Sequence, residues 1–171
     1  MTRTRKRLSL VALFVVALPA AIVQAQSDGN SRMSVTVSFG GGLNTATPPG
    51  NPANHHVLPR TIEVKAGGVV NFAVAGFHQI IVYNPGTQAS DIVAPAFPPN
   101  LFMNFNLGTA YYVGINPRNA NAGTPPAAAT VFNGDNRIES VSFATPGVYL
   151  VLCNVTPHFN DGMYAYVRVS N

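Results

Sequence analysis

From residue 33 to the C-terminus, apolar residues recur at alternate positions in short bursts. Met33 to Phe39 puts Val35, Val37 and Phe39 on one face, and Arg60 to Ala66 does the same with Ile62 and Val64. Gly67-Gly68 reads as a turn, after which Val69 to Val74 returns as a partner strand. Phe77 to Tyr83 is another β-rich run, stopped by Asn84-Pro85-Gly86. Ile138 to Phe143 reads as a strand with polar alternates, and Thr145-Pro146-Gly147 as a turn. In the next strand Val148, Leu150 and Leu152 point one way and Tyr149, Val151 and Cys153 the other. In the last, Met163, Ala165, Val167 and Val169 share a face opposite Tyr164, Tyr166 and Arg168. About seven or eight short strands with almost no helix predict an all-β fold, a Greek-key antiparallel β-sandwich.

Two stretches break this rhythm. Gly40 to Pro59 is rich in Gly, Pro, Asn and Thr and reads as a long loop. Residues 84–137 hold seven prolines and many Asn and Ala. Within them Tyr111 to Ile115 reads as a strand, while Phe97, Leu101, Phe102 and Phe105 read as a short helix or an apolar flap. A structureless loop of that length is uncommon inside a compact domain, so some regular structure is expected there.

The chemistry concentrates between the last two strands. Cys153-Asn154-Val155-Thr156-Pro157-His158-Phe159-Asn160-Asp161-Gly162-Met163 carries the only cysteine, a histidine and a methionine on one tight loop. Asp161-Gly162 supplies a turn, and Pro157 stiffens the chain beside His158. Thiolate, imidazole and a weak axial thioether are the donors of an electron-transfer copper site, which needs one further imidazole. His78, inside an earlier apolar run, is the candidate. Zinc competes, but a structural zinc site takes four Cys, His or carboxylate donors, and a thioether is a poor fourth.

Each residue also has a plain reading. Cys153 alone would be a small buried hydrophobe, Met163 core filler, His158 a solvated loop residue and His78 a hydrogen-bonded core histidine. In this order, between strands, all four plain readings would have to hold together. His55 and His56 stand as a pair in the long loop. They read either as solvated residues or as a second metal contact or docking edge.

The N-terminus changes the meaning of the charge. Arg3, Arg5, Lys6 and Arg7 precede an apolar run from Leu8 to Val23, and Val23-Gln24-Ala25 is a small-x-small cleavage signal. Residues 1–25 are expected to be a cleavable signal peptide, with a retained membrane anchor as the alternative although the run is short for a span and contains Pro19, and 26–171 a single exported domain, secreted or periplasmic. Four of the ten Lys and Arg lie in that leader, which leaves six basic against six acidic residues. A neutral mature chain offers no footprint for nucleic acid or an anionic membrane. No membrane span is expected in it, and a monomer is. A lone cysteine in an exported chain is an intermolecular link, a reactive thiol or a ligand.

The loop, with Arg60-Thr61-Ile62-Glu63-Val64-Lys65-Ala66-Gly67-Gly68-Val69-Val70-Asn71-Phe72 followed by His78, resembles the cupredoxins, small type 1 (blue) copper proteins. The resemblance covers about residues 60–83 and 138–170. Its Cys-x4-His-x4-Met spacing is most similar to rusticyanin and the plantacyanin-type phytocyanins. It implies His78, Cys153 and His158 as equatorial ligands and Met163 as the axial one, holding one copper per chain. It implies one-electron transport between redox protein partners that dock near an exposed His158, in an apolar patch with Pro157, Phe159 and Met163. Where the family often has Asn after its first histidine this chain has Gln79, with Asn154 as a partial substitute. The phytocyanin disulfide is absent.

An electron carrier is therefore the expected function, with periplasmic copper binding and delivery as the alternative and a copper-free adhesive sandwich as a third. Only Met33, Met103 and Met163 remain after the leader, too few for a methionine-rich delivery surface. An enzyme is not expected, because multicopper oxidases and copper nitrite reductases need many more than the four histidines present.

Overall fold

A computed structural model describes residues 32–41, 52–95, 99–117 and 136–171. The expected signal peptide, Phe97 and residues 118–135 of the insertion lie outside the described residues. Among the described residues eight strands run in order: β1 (Arg32–Gly40), β2 (Val57–Leu58), β3 (Thr61–Ala75), β4 (Ile80–Tyr83), β5 (Ala110–Val113), β6 (Asn136–Phe143), β7 (Gly147–Cys153) and β8 (Tyr164–Ser170). The predicted all-β architecture forms. Among the described residues no helix is long and apolar enough to cross a membrane.

The pairing is mixed rather than purely antiparallel, and β3 is the reason. The sequence suggested two strands joined at Gly67-Gly68, but Thr61–Ala75 is one strand of 15 residues. Its first part pairs in parallel with β8, from Thr61↔Tyr166 to Lys65↔Ser170. Its second part pairs in parallel with β1 and antiparallel with β6. The register against β1 shifts between Arg32↔Val64 and Ser34↔Val69. Gly67 there has a φ of 82°, and a Cβ on Gly68 would lie 2.5 Å from Val64 Cγ2 and 2.8 Å from the Lys65 carbonyl oxygen. The glycines make a kink, not a reversal. The strand changes layers there, as strands do at the corners of sandwiches.

The two layers face one core. β1, the second part of β3 and β6 contribute Val37, Phe39, Val70, Phe72, Val74, Val141 and Phe143. The other layer contributes Ile62, Val64, Val82, Tyr149, Val151, Val167 and Val169. The second layer is buried on its far side too, which is why β4 and β7 read as nearly continuous apolar runs. Ile81, Tyr83, Leu150 and Leu152 pack there with Ile92, Ala94, Met103 and Phe105. Part of the Pro-rich insertion is thus a cover for this layer, and β5 is its strand on β4.

The choice between helix and flap for Leu101 to Phe105 resolves as a flap. Phe102 bridges Val155, the Thr156 amide donates to the Leu101 carbonyl at 2.8 Å, and the Met103 amide donates to the Asn154 carbonyl at 2.9 Å. The insertion therefore braces the loop that carries the candidate donors.

Candidate metal centre

Cys153 ends β7 at zero exposure, opposite Ile80 of β4, and its amide donates to the Met163 carbonyl at 3.1 Å. The chain then turns: the His158 amide donates to the Val155 carbonyl at 2.9 Å, and the Met163 amide to the His158 carbonyl at 2.9 Å. These bonds hold His158 over the end of the strand and return the chain into β8. Met163 is fully buried in the same core cluster as Cys153.

His78 comes from elsewhere. It precedes β4, after the layer-crossing strand β3 has ended and Gly76 has turned the chain at a φ of 105°. A hydrogen bond to the backbone of Ala75 orients its ring, and the Arg137 guanidinium donates to its carbonyl at 2.9 Å. Gly40 leaves room for the ring. At a φ of 101°, a Cβ there would lie 2.2 Å from the Ala75 carbonyl oxygen and 2.8 Å from His78 Nε2. Gly40→Ala should therefore lower stability by about 1–3 kcal/mol, the usual cost of a strained backbone position, with displacement of His78 added. Denaturant unfolding of the metal-free protein measures it, and an unchanged midpoint would refute the role of Gly40.

The three donor atoms meet. His78 Nδ1 and His158 Nδ1 are 3.0 Å apart, and Cys153 Sγ lies 3.6 Å from the first and 3.5 Å from the second. A point equidistant from all three lies about 2 Å from each, the length of a metal–imidazole bond. All three residues are buried. Burial is the main force on their charges. It holds His78 down at about 3, with further lowering from His158, His55 and Arg137. It holds His158 down at about 4, with His55 adding to the effect and Asp161 opposing it. It pushes the Cys153 thiol up to about 12. Both imidazoles are thus neutral and ready to bind at neutral pH, and the thiol gives up its proton only to a cation that replaces it. Two imidazoles and one thiolate in a trigonal set suit copper, and the group fits one copper ion per chain.

The resemblance to the cupredoxins holds at this centre. No protein-family model matches the chain, and no curated protein does. Solved structures are similar to it. Reduced auracyanin from Roseiflexus castenholzii shares 17% identity over 82% of this chain and 99% of that one, with a TM-score of 0.48. Oxidised plastocyanin from Dryopteris crassirhizoma shares 18% over 80% and 100%, at 0.38. A purple cupredoxin from Nitrosopumilus maritimus shares 12% over 80% and 99%, at 0.36.

The surroundings differ from expectation in three respects. First, His158 is 8% exposed, so the imidazole is not the open one the resemblance implied. Second, His55 is not a solvated loop residue: it is 5% exposed and stacks on His158. His56 is the outer member of the pair, its Nδ1 3.0 Å from the Ala53 carbonyl oxygen. Third, a buried ion pair underlies His78. Arg137 bonds to Glu139, whose other oxygen accepts from the Tyr112 hydroxyl at 2.7 Å and the Ile115 amide at 3.2 Å. Sequence reading passed over this pair, although stepping back by twos from Phe143 and Val141 lands on Glu139 and Arg137. Ile138, which looks like a core residue, is 60% exposed.

Gln79 takes up the tie between donor loops. Its side-chain oxygen accepts from Asn154 Nδ2 at 2.8 Å, its Nε2 donates to the Gly114 carbonyl at 3.0 Å, and its own carbonyl accepts from the Asn154 amide at 2.8 Å. Glutamine and asparagine together thus bridge the neighbours of His78 and Cys153.

Proposed function

We propose that this protein is an exported type 1 (blue) copper protein that carries single electrons between redox partners and catalyses no reaction of its own. The observation that carries the reading is the closed triangle of two imidazole nitrogens and one thiol sulfur, from segments 75 residues apart. Copper held there would supply one-electron chemistry between its +1 and +2 states. His78, Cys153 and His158 are the equatorial ligands in this reading, and Met163 the axial one.

Several features support a carrier. The donors sit on strand ends and hydrogen-bonded turns, so the protein and not the ion sets their positions, which keeps rearrangement between oxidation states small. The second-layer ties through Gln79, Asn154 and Arg137 work in the same direction. Burial of all three donors favours retention of the ion over hand-off, which weighs against a delivery role. Partners would dock near His158, beside Pro157 and Phe159, with the mature chain a monomer in the periplasm or outside the cell.

The test is the absorption spectrum of the purified mature chain after addition of copper(II). An intense visible band from thiolate-to-copper charge transfer is expected, and a colourless, tight copper(I) complex alone would replace the carrier with a delivery protein. Met163→Gln should retain copper and lower the reduction potential, since a harder axial oxygen favours copper(II). Voltammetry measures the shift, and an unchanged potential would remove Met163 from the axial position.

A further inference from the structure

His55 and Asp161 are not among the donors, yet both act on one of them. The His55 ring lies on the His158 ring with centroids 3.7 Å apart and 24° between planes. Its Nδ1 is 2.5 Å from Asp161 Oδ2. Asp161 belongs to the same turn as His158, where its amide donates to the Pro157 carbonyl at 3.1 Å. A single side chain thus grips the donor loop twice, once on the face of the ring and once on the carboxylate.

His55 is itself held from behind. The Gly40 amide donates to the His56 carbonyl at 2.9 Å, and Val57 pairs with Phe39 of β1. Gly40 lies against the His78 ring. Segment 52–58, the donor loop and the wall around His78 therefore close into one frame, with His55 as the piece that joins them.

We infer that His55 is a positioning residue for His158. Stacking sets the plane of the His158 ring and covers one of its faces. The bond to Asp161 fixes His55 in turn and keeps the 157–163 turn closed. An imidazole on a turn can otherwise rotate about two bonds, and freezing that motion opposes metal binding. Neighbours that orient a ligand histidine typically change metal affinity 10–100-fold when removed. The effect on a bound metal rests on the copper reading above, but the hold on the ring does not.

The test begins on the metal-free mature chain. Diethyl pyrocarbonate modification is followed by peptide mass mapping, with the more exposed His56 as internal reference and Cys153 reactivity toward a thiol reagent as a check on the fold. In His55→Ala, His158 should be modified faster than in the wild type, while Cys153 stays protected. His55→Phe keeps a ring on His158 but loses the bond to Asp161, so His158 should react faster than in the wild type and more slowly than in His55→Ala. An unchanged His158 rate in His55→Ala with Cys153 protected overturns the inference. If His55→Ala exposes Cys153, Asp161→Ala carries the test: it removes the acceptor at the outer end of the grip, should speed modification severalfold, and overturns the inference if it does not. In the copper-loaded protein, His55→Ala should release the ion to a chelator roughly 10–100-fold faster. A wild type that never turns blue would defeat the copper reading and leave the modification result to judge His55 by itself.

Discussion

Replacing Cys153 with alanine should abolish the intense visible absorption of the copper-loaded protein, and this is the largest spectral effect any single substitution is expected to produce. The band requires a thiolate bonded to copper(II), and Cys153 is the only cysteine in the chain. No other side chain can replace it. The two imidazoles would remain 3.0 Å apart and still bind copper weakly, so weak binding without colour is the expected signature. The fold should survive. In the metal-free protein burial keeps Cys153 a neutral thiol, and it packs as a small hydrophobe among Val151, Val155 and Met163. Losing one buried sulfur should cost no more than about 1–2 kcal/mol, near the low end for core truncations. Cys153→Ser, with an oxygen in place of sulfur, should be equally colourless. Retention of the band in either variant would mean that sulfur is not a ligand, and the proposed function would fall with it.

Glu139→Ala should cost about 3–5 kcal/mol of folding stability, a large part of the 5–15 kcal/mol that a domain of this size commonly has. Glu139 is 3% exposed and Arg137 7%, so the pair is closed off from solvent. Removing the carboxylate leaves the Arg137 charge buried beside an apolar side chain. It also takes the acceptor from the Tyr112 hydroxyl and the Ile115 amide. Arg137→Met should be damaging for the mirror-image reason, and it also deletes the donor to the His78 carbonyl. The double variant Arg137→Met/Glu139→Leu should recover more than half of the single-variant loss, because both desolvated charges go together. Denaturant unfolding of the metal-free chains measures all three. A Glu139→Ala loss under about 1 kcal/mol would show that water reaches the pair and that it is not structural.

What local pattern could determine, the sequence determined. Alternation over six or seven residues marks which faces of β1 and β8 turn inward, since side chains of a strand repeat every two residues whatever the strand pairs with. The spacing of Cys153, His158 and Met163 was legible for a similar reason. All three lie on one short loop, where the chain itself limits how far apart they can be.

Pairing between distant segments was decided only in three dimensions. The same alternation around Gly67-Gly68 suits a hairpin or a kinked strand, and the choice fell to β8, β1 and β6, which offered each half of β3 a partner. Arg137 and Glu139 look solvent-facing by composition, yet Val141 and Phe143 set the phase of their strand and carry them inward. His55 sits in a stretch rich in Pro and Asn that favours water. Its burial depends on Asp161, 106 residues away, and on a ring that reaches its place only when the sandwich has closed. Short-range geometry follows from covalent connection, whereas contacts across the fold depend on which of many distant partners lowers the free energy of the whole chain.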